Sequence, residues 1–248
     1  PIKNADAFLC ENLASSLGAQ VDAELGLPVF YYGSAASHPD RTALSALRRG
    51  EYESLEGRMS GAVSASVTRD PDYGSGWNER YARFGAVAIG VRPILVAYNV
   101  NLAESDAIVA KKVGTIVRSS GRLIRNRDQR MRTRGMLDKV QGMGVPLEAH
   151  GISQVSMNLQ DVGITDMHHA FEVVKSLASD HGVSVDGSEL VGLAPLSSFL
   201  AAGRWYSPGE VEDSVLIEAA VKGLGLDRLG PFEPKERIIE YAVEEALQ

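Results

Sequence analysis

The segment from residue 94 to residue 193 combines strand and helix patterns in an order that few folds accommodate. It opens with ILVAYNVNL, in which Val96, Tyr98 and Val100 alternate with other residues as in a strand with one buried face. The pattern predicts a strand at 94–102, a helix at 103–120 with Glu104 and Asp106 in its first turn, strands at 136–147 and 154–159, a helix at 165–181 with Thr165 as its N-cap, and a strand at 189–193. This β-α-β-β-α-β order predicts the split βαβ, or ferredoxin-like, plan, an antiparallel sheet with both helices on one face.

Further elements are predicted on both sides of this segment. Before it, the pattern indicates a helix at 4–25 that ends at Gly26, a strand at 28–33, a helix at 41–50, a loop at 60–83 and a strand at 84–91. The apolar residues of the first helix at helical spacing are Phe8, Leu9, Leu13, Leu17, Val21 and Leu25. After residue 193, helices are predicted at 210–224 and 234–247. The first 93 residues therefore fit part of a second unit of the same kind.

Composition limits the partners and the compartment. The 248 residues carry 25 Lys and Arg against 32 Asp and Glu, a net charge of −7, which argues against nucleic acid as the main partner. Cys10 is the only cysteine, so neither an internal disulfide nor a thiolate metal site can form, and we assign no metal. This cysteine usage favours a reduced, cytoplasmic compartment. No apolar run approaches the ~20 residues of a membrane span, so we expect no membrane partner.

One stretch departs from the acidic character of the chain. Residues 118–135, RSSGRLIRNRDQRMRTRG, hold seven Arg against one Asp. Such a run attracts anionic substrates, binds nucleic acid, or is a solvated loop. The second reading is weakened because no aromatic residue is interleaved for base stacking. The solvated loop is the most common of the three.

Eight strings of the sequence carry a resemblance to a known family. They are PVFYYG at 28–33, LRRGEYESL at 47–55, PDYG at 71–74, FGAVAIGVRPILVAYNVNL at 84–102, KVQGMG at 139–144, QVSMNL at 154–159, GSELVGLAPL at 187–196 and PFEPKERIIEY at 231–241. They resemble, in register along nearly the whole chain, the formiminotransferase domain of glutamate formiminotransferases.

This resemblance implies a reaction and a fold. The reaction is transfer of the formimino group from N-formimino-L-glutamate to N5 of tetrahydrofolate, the co-substrate, which gives 5-formiminotetrahydrofolate and glutamate in histidine degradation. The fold is α+β, with two ferredoxin-like subdomains and the folate in a tunnel between them. Residues 1–93 would then be a partial N-terminal subdomain, and residues 94–248 a complete C-terminal subdomain with a helical extension.

The resemblance also implies where folate is contacted. The corresponding segment here comprises Gly74, Ser75, Gly76, Trp77, Asn78, Glu79, Arg80, Tyr81, Ala82, Arg83, Phe84 and Gly85, and it is slightly longer and more charged than the usual version. Phe84 or Trp77 could stack on the pterin, and Gly85 and Gly90 would let the backbone approach it closely. The alternative for this glycine-rich strand is tight packing against a helix.

Three further residues are candidates for substrate binding. Arg92 stands at the end of a predicted strand, where a guanidinium could clamp a carboxylate, although an exposed strand-end charge is an equal alternative. Asn99 and Asn101 share one strand face, where asparagine is disfavoured by propensity. They bind the pterin, or they hydrogen-bond a loop backbone.

The general base of the resembling proteins is a histidine in an HPRMGA-like motif, which this sequence lacks. The opening PIKNADAF resembles the stretch after that motif, so the resemblance predicts that about 90 residues precede Pro1 and contain the base. We therefore assign no catalytic residue here and expect at most trace transfer by the chain alone. Full turnover would instead implicate one of His38, His150, His168, His169 or His181.

Other functions remain open. The chain fits a non-catalytic folate-binding or ligand-binding remnant, and it also fits a paralogue that uses another one-carbon donor such as formylglutamate. The partners expected in every case are small molecules, and a homodimer is left open as the state of assembly.

Overall fold

The protein is described by a computed structural model that covers residues 6–62, 70–127 and 129–247. The chain divides into two compact units, residues 1–93 and 94–248. Its mixed helices and small open sheets confirm the α+β class predicted from the sequence. Among the described residues, no helix is both long enough and apolar enough to cross a membrane.

The first unit is built around two parallel strands. Its elements are α1 (Ala7–Gln20), a π-helical turn (Val21–Leu25), β1 (Val29–Gly33), α2 (Leu44–Leu47), α3 (Leu55–Met59), α4 (Glu79–Phe84) and β2 (Val87–Val91). β1 pairs with β2 from Val29 opposite Val87 to Gly33 opposite Val91. Gly26 ends the first helix in the left-handed conformation, as predicted. Residues 4 and 5 of the predicted helix and residues 63–69 of the predicted loop lie outside the described residues.

The first helix is present, but its apolar stripe does not form the buried face that helical spacing usually indicates. Phe8, Leu9, Leu13, Leu17 and Leu25 are all exposed. The buried side of α1 instead consists of Ala14 and Gly18. Tyr31 of β1 packs there, and its hydroxyl donates a hydrogen bond to the carbonyl of Ser15. A small residue at position 18 therefore sets how closely α1 approaches the sheet.

The second unit contains the main core. Its elements are β3 (Val96–Leu102), α5 (Ile108–Val117), β4 (Arg122–Asn126), β5 (Gln129–Thr133), β6 (Val140–Leu147), β7 (Ile152–Leu159), α6 (Met167–Ser179), β8 (Val185–Val191), α7 (Leu196–Tyr206), α8 (Asp213–Leu224), α9 (Pro234–Arg237) and α10 (Ile239–Ala246). Four strands form one sheet in the order β6-β7-β3-β8, and every neighbouring pair is antiparallel. β4 and β5 form a separate antiparallel hairpin.

The alternation predicted for β3 is confirmed. Val96, Tyr98 and Val100 are fully buried and belong to one apolar cluster with residues of α5 and α6. Both helices also contact each other, so they cover the same face of the sheet. The other face carries Ala97, Asn99 and Asn101.

Two helix starts differ from the prediction because of local hydrogen bonds. α5 begins at Ile108, and Asp106 lies before it, where its carboxylate accepts a hydrogen bond from the Ile108 amide. Asp166, not Thr165, is the N-cap of α6, since its carboxylate accepts from the Met167 amide. The Thr165 hydroxyl donates to the carbonyl of Asp138 instead.

Other predictions were wrong about the kind or the length of an element. The predicted helix at 41–50 is reduced to α2, and Gly50 and Glu51, which both adopt positive φ, turn the chain after it. The predicted loop at 60–83 contains α4, and α7 was not predicted. Within the arginine-rich stretch, residues 122–126 and 129–133 form the β4–β5 hairpin rather than a loop, with Arg125 directly opposite Arg130.

A glycine contact fixes α5 on the sheet and yields a test. A methyl group at Gly144 of β6 would collide with backbone atoms of Ala110 and Lys111, which cannot rotate away. We expect Gly144→Ala to lower the free energy of unfolding by about 1–3 kcal/mol, as overpacking does. Urea unfolding followed by circular dichroism measures it. Gly230→Ala is the control, because the space around Gly230 is open; equal stability of the two variants would contradict this packing.

Candidate functional site

Asp72, in the PDYG string, anchors the start of the predicted folate segment. Its carboxylate accepts hydrogen bonds from the Tyr31 amide at 2.7 Å, from Arg41 Nη1 at 2.9 Å and from the Ser37 hydroxyl. The Asp72 amide donates to the carbonyl of Val29. The charge pair with Arg41 is almost fully buried. The segment that begins at Gly74 is therefore held against β1.

The segment 74–85 is a glycine-bounded turn followed by a short helix. Gly74, Gly76 and Gly85 all have positive φ, which favours glycine at each position. Asn78 caps α4, because its side-chain oxygen accepts a hydrogen bond from the Tyr81 amide. The rings of Trp77 and Tyr81 lie edge to face with centroids 6.4 Å apart.

Phe84 is the aromatic ring of this segment that is most available to a ligand. It is 58% exposed. The guanidinium carbons of Arg80 and Arg83 lie 5.8 and 5.2 Å from its ring centroid, close enough for cation–π attraction. Gly90, which we expected to admit a ligand ring, is instead packed against the ring of Tyr32.

A pocket of about 300 Å³ lies next to Phe84 in the first unit. Its lining residues are Phe30, Leu47, Arg48, Glu51, Tyr52, Leu55, Arg58, Phe84, Gly85, Ala86, Val87 and Ala88. Most of the wall is apolar, and the volume is at the lower end of the range for small-molecule sites. The Tyr52 hydroxyl donates to the carbonyl of Ala82 and so ties the two sides of the pocket together.

Arg58 is the buried charged residue of this pocket wall. One of its nitrogens, Nη1, donates to the carbonyl of Leu47 at 2.7 Å. Burial, reinforced by the neighbouring Arg41, lowers the pKa of its guanidinium. The sequence offered no signal for this residue, since a single arginine in a five-residue helix has no diagnostic spacing.

A hydrogen-bonded polar group lies on the open face of the second unit's sheet. Asn99 Nδ2 donates to Gln154 Oε1 at 3.3 Å and to Glu189 Oε2 at 3.2 Å. Gln154 Nε2 donates to Glu189 Oε2 at 2.9 Å and to Asn101 Oδ1 at 2.8 Å. Asn101 in turn donates to the carbonyl of Asp186. We call these four side chains, Asn99, Asn101, Gln154 and Glu189, the amide–carboxylate network.

Two hydrogen-bond acceptors of the network remain available to a ligand. Hydrogen bonds among the described residues occupy Glu189 Oε2 but do not reach Glu189 Oε1 or Asn99 Oδ1. Both residues are partly exposed, whereas Asn101 and Gln154 are buried. The network therefore offers a ligand acceptors only, which matches a ligand edge that carries N–H donors.

The structure thus brings some of the predicted residues together. Asn99 and Asn101 join one network, and sequence reasoning missed its other two members. Gln154 lies opposite Asn101 and Glu189 opposite Asn99 in the strand register, so the alternation of β7 and β8 could have indicated them. Arg92 is exposed, and its Nη1 donates to the carbonyl of Pro93 at 3.2 Å. Its clamping role stays a prediction.

Two of the five histidines form an aromatic cluster. The rings of His168 and His169 lie 4.1 Å apart, and Trp205 lies 5.6 Å from His168. His168 is buried, and its Nδ1 has no hydrogen-bond partner among the described residues. Burial and the adjacent His169 lower its pKa to about 4, although Glu172 opposes this shift. His168 is therefore neutral at pH 7.

This low pKa makes part of the stability depend on pH. The unfolded chain binds a proton at His168 below about pH 6.5, whereas the folded chain does so only near pH 4. The contribution is complete above about pH 6.5 and is lost as the pH falls to about 4. We expect His168→Gln to remove up to about 2–3 kcal/mol of this pH dependence in urea unfolding. His181→Gln, at an exposed position, is the control; an unchanged slope in His168→Gln would contradict the assignment.

Comparison with known proteins places the sequence in one family. The family described as "Formiminotransferase domain" matches residues 97–244, and "Formiminotransferase domain, N-terminal subdomain" matches residues 1–92. The chain is 38% identical over 250 residues to "Formimidoyltransferase-cyclodeaminase" of Sus scrofa, covering 99% of this chain and 43% of that protein. It is 32% identical to "Glutamate formimidoyltransferase" of Streptococcus pyogenes serotype M1, over 86% of this chain and 64% of that protein. The chain spans less than half the length of the cyclodeaminase-named relatives.

Proposed function

The chain belongs to the formiminotransferase domain family, and we propose that its protein transfers the formimino group of N-formimino-L-glutamate to N5 of tetrahydrofolate, in the cytoplasm, with release of glutamate. The main support for this proposal is the similarity, over 86% of the chain, to a protein named glutamate formimidoyltransferase. Tetrahydrofolate is the co-substrate in this proposal. The relatives reported above are named for formimidoyl transfer, which favours this reaction over the non-catalytic and formylglutamate alternatives.

The proposal includes a finer fold assignment. Residues 94–248 are taken as the C-terminal formiminotransferase subdomain of ferredoxin-like plan, and residues 1–93 as part of the N-terminal one. The strand order β6-β7-β3-β8 supports the first assignment, because a split βαβ unit places its first and third strands at the centre of the sheet. The matches to residues 97–244 and 1–92 support both.

The reaction needs a fixed pterin and an oriented donor. N5 attacks the formimino carbon, a tetrahedral intermediate forms, and the glutamate nitrogen leaves with a proton while N5 loses one. Holding the reacting atoms in line replaces a bimolecular encounter by an intramolecular step. No residue of this chain is assigned as the base, so the proposal limits its residues to binding and orientation.

We assign the amide–carboxylate network to binding of the pterin edge that carries hydrogen-bond donors. The 2-amino group and N3–H of a pterin lie side by side and both donate hydrogen bonds. Glu189 Oε1 and Asn99 Oδ1 are the acceptors that this edge requires. Because Glu189 Oε2 is already held by Asn99 and Gln154, the carboxylate is oriented before the ligand arrives. In the first unit, the segment 74–85 with Phe84 is proposed, independently of this network, to contact folate.

Replacing Glu189 tests this assignment. Glu189→Gln keeps the shape but exchanges a charged acceptor for an amide, so we expect the chain to bind 5-formyltetrahydrofolate about 10- to 100-fold more weakly. Glu148→Gln, on an exposed turn, should bind as the wild type does. Isothermal titration calorimetry gives the dissociation constants, and the formation of 5-formiminotetrahydrofolate from formiminoglutamate is followed in parallel.

The outcomes separate two kinds of failure. If the chain binds no folate, the proposed function is rejected; absence of transfer alone does not reject it, because at most trace transfer is expected of this chain. If the wild type and Glu189→Gln bind folate equally well, the function stands and the role given to Glu189 is wrong.

A further inference from the structure

The first unit holds a buried guanidinium that pairs with no carboxylate of residues 6–62 or 70–93. Arg58 is only 7% exposed, and none of the ion pairs among the described residues involves it. Its Nε and Nη2 are shielded from water and have no hydrogen-bond partner within the described part of the chain. Buried charges are ordinarily paired, because an uncompensated one is strongly destabilising. An unpaired guanidinium in a pocket wall therefore calls for an explanation by a ligand.

The neighbouring Arg41 shows how this unit supplies a carboxylate to a buried arginine, although the Nε of Arg41, like that of Arg58, has no hydrogen-bond partner among the described residues. Arg41 is 1% exposed, and its Nη1 and Nη2 donate to Asp72 and Ser37. Both guanidinium groups lie beside the ring of Phe30, at 5.7 Å for Arg41 and 5.6 Å for Arg58. The two arginines thus share one buried environment, but a carboxylate is supplied to only one of them. The difference lies in their surroundings, because only Arg58 lines the pocket of about 300 Å³.

Nε and Nη2 of Arg58 also indicate how a ligand would approach the guanidinium. Nε and Nη2 form the side-on edge of a guanidinium, where two N–H bonds run parallel. This edge matches the two oxygens of a carboxylate, whereas Nη1 is already bound to the carbonyl of Leu47. Arg48 and Glu51 also line the pocket and form an ion pair with each other at 3.0 Å, so among the described lining residues Arg58 is the cation without a carboxylate, and a single carboxylate on the ligand matches it.

The remaining wall indicates the body of the ligand. Phe30, Leu47 and Leu55 are buried apolar side chains of the pocket. We propose that this pocket binds an organic monocarboxylate with a flat apolar body, whose carboxylate pairs side-on with Arg58. Because Nε and Nη2 are shielded from water, binding includes a rotation of Arg58 or of a wall side chain. Phe84 and Gly85 of the proposed folate segment also line this pocket, so the test below uses probes that are not folates and measures the charge of Arg58 separately from formimino transfer.

Benzoate and benzamide are a matched pair of probes for this proposal. They share a flat ring of the same size, but only benzoate carries the charge. In ligand-detected NMR titrations of the 248-residue chain, we expect benzoate to bind about 10- to 100-fold more tightly than benzamide. Equal binding of the two probes, or no binding of benzoate, overturns the proposal without any variant.

Substitutions of Arg58 then test whether its positive charge causes the preference for benzoate. Arg58→Met should abolish the preference for benzoate, and Arg58→Lys should retain only part of it, because an ammonium lacks the side-on fork. Arg49→Met is the control, since Arg49 is exposed and lies outside the pocket lining. A preference for benzoate that persists in Arg58→Met overturns the proposal.

A stability measurement distinguishes a ligand-binding arginine from a structural one. If Arg58 serves the ligand, Arg58→Met should unfold at the same temperature as the wild type or higher, because an unpaired buried charge has been removed. A lower unfolding temperature, together with unchanged benzoate binding in Arg58→Lys, assigns Arg58 a structural role and overturns the proposal.

Discussion

The second unit depends on the pairing of β3 with a neighbour along each of its edges. With β7 on one side and β8 on the other, the strand cannot rotate, so the faces of its residues are fixed. Val96, Tyr98 and Val100 are thereby directed into the core under α5 and α6. Asn99 and Asn101 are directed to the opposite face by the same constraint. A slip of one residue would bury two amides in the apolar core and expose three large apolar residues.

The sequence predicted the elements that have a strong period and missed those that lack one. β3 alternates over seven residues, and α6 spans 13, so both patterns exceed chance. α4 has six residues, fewer than two turns, and its cap is the only local signal. The β4–β5 hairpin is exposed on both faces, so no alternation marks it. α1 shows a further limit, because its spacing indicates a helix but does not tell which side is packed.

The site residues likewise divide into those that a sequence pattern indicated and those that only the structure shows. Asn99 and Asn101 were recognisable because asparagine is disfavoured in a strand. Gln154 and Glu189 become apparent only when the strand register places them opposite those asparagines. Arg58 needs the tertiary structure, since what distinguishes it from Arg41 is that no described residue gives it an acidic partner such as Asp72. Composition and spacing contain no information on that pairing.

The polar groups on the sheet divide into a structural half and a chemical half. Asn101 and Gln154 are buried, and each of their side-chain polar atoms has a hydrogen bond, so they hold β3, β7 and β8 in register. A buried amide without a partner would cost about 1–3 kcal/mol, which explains why this half is complete. Asn99 and Glu189 are partly exposed, and water can satisfy their remaining acceptors at little cost. Only such acceptors can be exchanged from water to a ligand without disrupting the sheet. The buried half therefore provides a rigid base, and the exposed half provides the surface on which recognition takes place.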